Sequence, residues 1–581
     1  MQSLRENIMK RLFFFMLTAF LMVISVFFPT GVRADVQEKY VDISEFGAKA
    51  DDAIDDSQAI MDAIRAVDNA GGGIVHIPGG TYQLTSVNVA VTHPISIIGE
   101  PGTVLDGKQS TKQYLFNIEG TREESAPLLV DAAKNEKTIQ AVLSVKPGDV
   151  VLFHSDDLFN PARNYYYRGE MAEVESVSGN KITFKQGLFD SYRSSSTVIY
   201  KLNMPKIRIT GLKIIRDSNH AGLTINYAKD LHLSNIEVSG ARERGIGVSY
   251  VYGGTIENIE ISDCWYEGSG TSYGLSIASS QHLTVHDSWL HGGRHGISLG
   301  GWEPARDILI TKNIIDNYTD SRVGAFNTHE NVEYITVSEN RILNGVSTAG
   351  DHLVYENNKI ELRTDCPGII VKQNWNSEQL VFRNNQITSP SYGILLETYL
   401  PSLEVKELIV EGNTIRSDSA GIGIKPRLKT SKNTKIKNII IRNNDIESTK
   451  DSTISIPPQE GTTIVVENME IDGGTYQSLY NKGIFSQVSP SSGSVTIFNA
   501  KISTGKAAEF GMLLINFSQI TIDGSNLQGS ANLGSYNYFQ HANSVIVRNS
   551  TLGNWNYKNG VRAYNVPRVQ LENNTYINTP S

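Results

Sequence analysis

Residues 335–342 read ITVSENRI, and the phrase apolar, any, apolar, two residues, Asn or a small residue, any, apolar returns through the rest of the chain. It is clear at 380–387 (LVFRNNQI), 408–415 (LIVEGNTI), 439–446 (IIIRNNDI) and 545–552 (VIVRNSTL), with weaker copies as far back as Ile207 (IRITGLKI). Aligned on the sixth position, the copies fall at Leu212, Ile236, Cys264, Ser288, Asn313, Asn340, Asn358, Asn385, Asn413, Asn444, Met469, Ala500, Ser525, Ser550 and Asn574. The spacings are 24 to 31 residues, apart from one of 18 between Asn340 and Asn358. A period in this range marks a stacked solenoid, in which each coil buries its apolar face only against its neighbours. The 18-residue interval is too short for a full coil and predicts a kink or truncated turn at Asp351-His352.

Within each repeat the apolar residues alternate at a period of two and are mostly Ile and Val, which is strand chemistry. A second strand follows as Gly, apolar, any, apolar, starting at Gly222, Gly245, Gly274, Gly296, Gly393, Gly421 and Gly511. Short strands joined by turns in every coil describe a parallel β-helix. A leucine-rich repeat shares the Asn and the length, but would be dominated by Leu and lack the Gly-led strand. Asn at the sixth position suits a tight turn, tolerating left-handed backbone and pairing with its copies in neighbouring coils.

The chain divides into a leader at 1–34, an N-terminal cap with the first coils at 35–125, a β-rich insertion at 126–202 and the β-helix at 203–581. In the leader, Arg5, Lys10 and Arg11 precede an apolar run, and Val32-Arg33-Ala34 stands before Asp35, the layout of a secretory signal peptide. Its removal takes away four positive charges and one negative, moving the net charge from −9 to −12. The expected location is therefore secreted, without stable membrane insertion after cleavage, and a chain this acidic argues against a nucleic-acid partner. Oligomeric state is not readable. Cys264 and Cys366 take different places in their coils, so no disulfide is expected.

After Val41, Asp55 or Asp56 caps a helix whose face is Ile60, Ala63, Ile64 and Val67 and whose end is Gly71-Gly72-Gly73. Ile74, Val75 and Ile77 then make a strand stopped by Pro78-Gly79-Gly80. A helix laid over the first coil covers a core and a strand edge that would otherwise meet water. Capping and solvation account for the acidic run Asp51, Asp52, Asp55, Asp56; no metal ligand set and no cofactor is expected, and no motif indicates calcium. In the insertion, Ser178-Gly179-Asn180 marks a hairpin. The segment 163–170 (RNYYYRGE) offers either a sugar-stacking lip or a tyrosine-rich strand packed on the solenoid.

The opening segment resembles the rhamnogalacturonase or epimerase-like branch of the pectate-lyase-like superfamily. The resemblance rests on Phe46-Gly47-Ala48, the Asp-rich loop, Ala59-Ile60, Gly72-Gly73-Ile74-Val75 and Pro78-Gly79-Gly80-Thr81-Tyr82. Gly293-Arg294-His295-Gly296-Ile297-Ser298-Leu299-Gly300-Gly301 and Asn327-Thr328-His329-Glu330 are similar to segments of phage tailspike-type depolymerases. The resemblance implies a right-handed parallel β-helix acting on extracellular polysaccharide. The polygalacturonase signatures NTD, GHG and RIK and the mannuronan-epimerase motif DPHD are missing, so no catalytic residue is carried over.

Coil geometry supplies candidates instead. Equivalent positions of successive coils stack about 4.8 Å apart. Just before the second strand this aligns Ala221, Arg244, Tyr273, His295 and Val323, and one residue earlier His220, Glu243, Ser272, Arg294 and Arg322. Just past the strand come Tyr227, Tyr250, Ser279, Gly301 and His329, followed by Glu330. Lys372, Glu397 and Lys425 continue an outward row, which as a bare charge ladder needs no function. A cationic, aromatic face on an acidic chain points to an anionic polymer. His295, His329, Arg294 and Glu330 are the catalytic candidates, on an exposed edge where a His has little packing role; Arg244, Tyr273, Arg322, Tyr250 and Lys372 are the substrate-binding ones.

Two reactions fit. Elimination from a uronate polymer needs a base at C5 and cations on the carboxylate. Hydrolysis needs two carboxyl groups, for which Glu243, Glu267, Asp320, Glu330 and Asp365 are candidates. The function expected is a secreted carbohydrate-active enzyme, a lyase or glycoside hydrolase cleaving an acidic polysaccharide. The alternatives are a non-catalytic glycan-binding adhesin and a polysaccharide epimerase.

Overall fold

The computed structural model describes residues 38–161, 163–265, 270–318, 323–427, 432–505, 510–530 and 536–580; the leader lies outside them. Forty-four strands among these join one solenoid sheet and six form a separate sheet. Each coil carries three strands that pair in parallel with their counterparts in the next coil. A first ladder runs through Tyr273–Ala278, His295–Gly300, Phe326–Thr328, Val346–Thr348, Ile369–Gln373 and Ile394–Thr398. A second runs through Gln281–His286, Ala305–Thr311, Val332–Ser338, Asp351–Glu356 and Ser377–Arg383. The third, of very short strands, runs through Trp289–Leu290, Ile314–Ile315, Arg341–Leu343 and Lys359–Glu361.

Inward Ile, Val and Leu of all three ladders fill one continuous core. The helix Ser57–Asn69 closes its N-terminal end, with Ile60, Ala63, Ile64 and Val67 buried. Asp56 is its N-cap but makes no side-chain cap bond. Asp55 takes that part instead, accepting from the backbone N–H of Ser57 at 3.1 Å and of Thr85 at 3.0 Å. Its carboxylate thereby ties the helix start to the first coil.

The repeating Asn is buried and its role is narrower than expected. Asn313, Asn340, Asn358, Asn385 and Asn413 each donate Nδ2 to the Oδ1 of the next copy, ending at Asn444, over 3.0 to 3.1 Å. The same Oδ1 accepts the backbone N–H of the preceding copy, at 2.9 to 3.0 Å. The left-handed backbone sits one residue earlier, at Glu339 (φ 55), Asn357 (φ 56), Asn384 (φ 54), Gly412 (φ 64) and Asn443 (φ 51). The fifth position makes the turn and the sixth ties the coils.

Register also moves two copies. Glu260 pairs with Trp289, so the partner of Ser288 is Ile259 rather than Cys264. Asp445 pairs with Thr475, so Gly474 rather than Met469 follows Asn444. A Cβ at Gly474 would lie 2.4 Å from the Asn444 carbonyl oxygen, which excludes a side chain there. The 18-residue interval is a complete coil, since Val346–Thr348, Asp351–Glu356 and Lys359–Glu361 supply all three strands. It is short chiefly because only Asn344-Gly345 leads from Arg341–Leu343 to Val346–Thr348, where seven residues (362–368) make that turn in the next coil; Ala349-Gly350, with Gly350 at φ 134, saves one residue more. Asp351 lies on the second ladder, where its Oδ1 accepts from Ser377 Oγ and the Glu378 N–H at 2.9 and 2.7 Å.

The insertion is a six-stranded antiparallel sheet over residues 121–203, against 126–202 expected. Its order is Thr121–Pro127, Thr197–Asn203, Val150–Leu158, Tyr167–Ser178, Lys181–Phe184, Thr138–Gln140, with a separate core around Phe153, Phe184 and Tyr192. Gly179 and Asn180 form the hairpin loop between Ser178 and Lys181. The sheet is fastened to the turns between the first and second ladders. Arg306, 0% exposed on the second ladder, pairs with Asp190 of the insertion and Glu333 of the next coil, each at 2.6 Å, and donates to the Gly169 carbonyl at 2.7 Å.

Candidate active site

The first ladder floors a groove with the insertion on one side and the turns between the third and first ladders on the other. In one cavity of about 160 Å³ the groove brings together Tyr273, Arg294, His295, His329, Glu330 and Lys372, joined by Arg163 from the insertion. A second cavity of about 430 Å³ shares Lys372 and continues past Asp365, Tyr392, Glu397, Tyr399 and Arg427. The expected row Lys372, Glu397, Lys425 is present as adjacent pairs of the ladder.

His295 is not on an exposed edge. It is 3% exposed, because its ring stacks on Tyr273 of the preceding coil (centroids 5.6 Å, 27°) and its Nδ1 reaches the Gly324 carbonyl of the next at 2.6 Å. A carbonyl only accepts, so Nδ1 carries the proton and Nε2 holds the lone pair. The ladder pairs Arg244 with Tyr273 and Tyr273 with His295, and Phe326 with Ile297, so Gly324 rather than Val323 continues the row. The same register sets His329 beside Gly300, where a Cβ would lie 3.1 Å from the His329 ring and close its space.

Glu330 holds the insertion. Its Oε1 accepts from Asn374 Nδ2 at 2.9 Å and Arg163 at 3.3 Å, and its Oε2 from the Tyr166 hydroxyl at 3.1 Å. His329 Nδ1 lies 3.4 Å from the same hydroxyl. With the Tyr166 proton given to the carboxylate, the phenol oxygen faces Nδ1–H of His329 and leaves its Nε2 unprotonated.

Two of the expected binding residues stand apart. Arg244 is one coil away from the cavity and paired with Glu243 at 2.6 Å. Tyr250 faces the insertion, donating to Glu303 at 2.7 Å, with its ring stacked on Tyr227. Arg322, Asp320 and Glu267 lie outside the described residues. The side chain missed in the sequence is Arg163: its segment was legible as a lip, but its reach to Glu330 depends on where the insertion docks.

A model of the family "Rhamnogalacturonase A/epimerase, pectate lyase-like" matches residues 40–140, and one of "Gp49, pectin lyase-like" matches 244–441. The structure is similar to the gp61 tailspike of Pseudomonas phage phi297 (TM-score 0.57, 17% identity, 80% of each chain). It is also similar to the gp54 tailspike of Acinetobacter baumannii bacteriophage AP22, solved with capsular saccharide (0.57, 18%, 86% of this chain and 76% of that one). The gp49 tailspike of Pseudomonas phage LKA1 matches at 0.55, 17% identity, over 88% of this chain and 82% of that one. The fold is that of the pectate-lyase-like, tailspike-type β-helices. Among curated proteins, plasmin and fibronectin-binding protein A of Streptococcus pneumoniae is 32% identical over 77 residues, which is 13% of this chain and 11% of that protein.

Protonation in this β-helix groove follows from burial and charge. Burial, reinforced by Arg294, His329 and Lys372 and opposed by the Gly324 carbonyl, pulls the His295 pKa down to about 3. Burial also lowers His329 against the pull of Glu330, with Arg163 and Arg294 adding to the fall. Glu330 goes the other way from its burial, which raises it: its own backbone N–H, Arg163 and His329 hold the carboxyl below its usual range. Lys372 is lowered by burial first, with Arg294 and Arg427 outweighing part of the attraction of Glu397. At neutral pH the cavity thus holds two neutral imidazoles, an ionised and fully hydrogen-bonded carboxylate, and a set of cations. Arg294 and Lys372 form no ion pair among the described residues, so their charge is available to a ligand.

Proposed function

We propose that the chain is a secreted enzyme that binds an acidic polysaccharide along the groove and cleaves it by β-elimination. The observation that carries this reading is the make-up of the smaller cavity. It combines Arg294 and Lys372, which form no ion pair among the described residues, with neutral imidazoles and one carboxylate whose oxygens already accept from Arg163, Tyr166 and Asn374. Arg294 and Lys372 would neutralise the uronate carboxylate, which acidifies the proton on C5. His329, oriented through Nδ1 by Tyr166 and Glu330, would accept that proton on Nε2; the electron pair then forms the C4–C5 double bond and expels the glycosidic oxygen. His295 is too weak a base at a pKa of about 3 for this step and serves as a hydrogen-bond acceptor for a sugar hydroxyl. The capsular saccharide bound by the AP22 tailspike supports a polysaccharide ligand.

A second reading has its own observation: Asp365 and Glu397 line the larger cavity together, and a carboxyl pair is what hydrolysis needs. The 77-residue match to a plasmin and fibronectin-binding protein supports a third, binding without cleavage.

One assay separates them. The protein is incubated with polygalacturonate, alginate, hyaluronan and chondroitin sulfate while ultraviolet absorbance of unsaturated uronate and new reducing ends are followed. Both signals rising together is the expected result, and His329→Ala should lower turnover by about a hundredfold or more while binding persists. Reducing ends without unsaturation would point to hydrolysis, and binding with neither signal would remove the enzyme reading.

A further inference from the structure

Beside the cationic cavity, one turn of the solenoid is built differently from its neighbours. Leu299 pairs with Thr328 and Ala305 with Val332, so five residues (300–304) join the first two strands here where three (329–331) do so in the next coil. The extra length carries Trp302 to the surface, 61% exposed and the most exposed of the described tryptophans. A large ring left in water forgoes the burial that normally holds an aromatic side chain in place.

The turn is nevertheless fixed. Ser279 Oγ accepts the backbone N–H groups of Trp302 and Glu303 at 3.1 and 3.2 Å, and the Trp302 carbonyl accepts from the Tyr167 N–H at 2.9 Å. The buried Glu303 carboxylate is gripped by His154 at 2.6 Å and Tyr250 at 2.7 Å. Gly301 takes φ 136, and a Cβ there would lie 2.3 Å from Ser279 Oγ, so the conformation is reserved for glycine. The Tyr167 ring lies nearly parallel to the indole, centroids 6.2 Å apart at 19°.

We propose that Trp302 and Tyr167 form a stacking platform for the C–H face of a pyranose ring, one subsite along the polymer from the cationic cavity. Tyr166 and Tyr167 are consecutive residues; the first touches Glu330 in the cavity and the second holds Trp302. The turn that carries Trp302 and the turn that carries His329 and Glu330 lie on successive coils, about 4.8 Å apart along the axis, a step comparable to one sugar residue. The charge in the platform's own turn, Glu303, is already satisfied by His154 and Tyr250. The platform reads ring shape, whereas the cavity reads charge. This inference rests on the proposed polysaccharide groove and adds a subsite to it.

The test uses the full secreted chain, the wild type and Trp302→Ala and Trp302→Phe variants, with the same four polymers and their tetrasaccharides. Indole fluorescence of the wild type should change on titration and that change should largely vanish in Trp302→Ala. The variant should raise KM for polymer by about tenfold with kcat little changed, and by the same factor at low and high salt, because stacking is not screened. Trp302→Phe should recover most of the affinity. If the wild type binds or cleaves a polymer and Trp302→Ala does so with unchanged KM and unchanged fluorescence response, the platform falls while the groove reading stands. If the wild type binds none of them, both fall.

Discussion

Asn385 accounts for a polar side chain repeating at an inward position. Its Nδ2 donates to Asn413 Oδ1 at 3.0 Å and to the Tyr355 carbonyl at 2.8 Å, and its Oδ1 accepts both the backbone N–H and Nδ2 of Asn358 at 3.0 Å. Every polar atom of the amide is used, so burial costs little and the copy fixes its neighbours. Asn385→Ala should therefore lower unfolding stability by about 2–4 kcal/mol, because two donors of Asn358 lose their acceptor in a dry interior. Chemical denaturation compared with an exposed control such as Asn433→Ala measures it; an equal, small effect in both would show that the ladder is a consequence of stacking and not a cause. The Asn was legible in the sequence because it recurs where only a turn and a tie can recur. Which of the two it serves was not, since 380–387 and 439–446 carry Asn at both the fifth and the sixth positions. Lys312, Glu339 and Gly412, left-handed at the fifth position, separate the two roles.

At the scale of elements, the break in rhythm announced the insertion, but nothing in the neighbouring phrase EPARDILI marked Arg306 as its anchor. Three carboxylates surround that one guanidinium: Asp190 and Glu333 at 2.6 Å, and Glu170, whose oxygens accept from the Phe189 and Asp190 N–H groups and the Tyr192 hydroxyl at 2.8 to 3.1 Å. Phe159 and Phe189 flank the guanidinium at 5.5 and 5.2 Å, which keeps water out. Arg306→Met leaves the buried Glu333 and the partly buried Asp190 without their partner and should cost about 3–5 kcal/mol. The loss should fall on the docking of the insertion: limited proteolysis should cut within residues 121–203 while the coils stay resistant, and uniform degradation would contradict a local clasp. Burial, against the pull of Arg306, raises the Glu170 pKa from 4.5 to about 7. Between those values the folded protein keeps a proton that the unfolded chain has lost. Glu170 therefore favours the folded state most at pH 4.5 and below, and progressively less as pH rises towards 7. The thermal midpoint of the wild type minus that of Glu170→Gln should fall across this window and level off above it; parallel profiles would remove Glu170 as the cause.

Across the whole molecule, an acidic chain of net charge −9 sets three cations that form no ion pair among the described residues, Arg294, Lys372 and Arg427, along one groove. The register of the repeat made the floor of that groove legible, because residues one coil apart in a β-helix must stack. The wall was not legible: Arg163 and Tyr166 reach Glu330 only once an insertion more than a hundred and fifty residues earlier has docked on Arg306. Nor was the burial of His295, whose ring stacks on Tyr273 of the preceding coil and whose Nδ1 reaches the Gly324 carbonyl of the next. That row of cations has a measurable consequence. Arg294, Lys372 and Arg427 have no ion pair among the described residues, so an acidic polymer that binds them displaces counterions, and affinity should fall with salt. Arg294→Ala or Lys372→Ala should weaken binding and also flatten the slope of log affinity against log salt, by up to about one for each cation removed. Trp302→Ala should weaken binding without touching the slope. Isothermal titration of each variant with the polymer that the wild type binds best, at several salt concentrations, distinguishes the two effects. Identical slopes for the wild type and an Arg294→Ala/Lys372→Ala double variant would mean that the groove does not recognise its ligand by charge, and would count against the acidic-substrate reading as a whole.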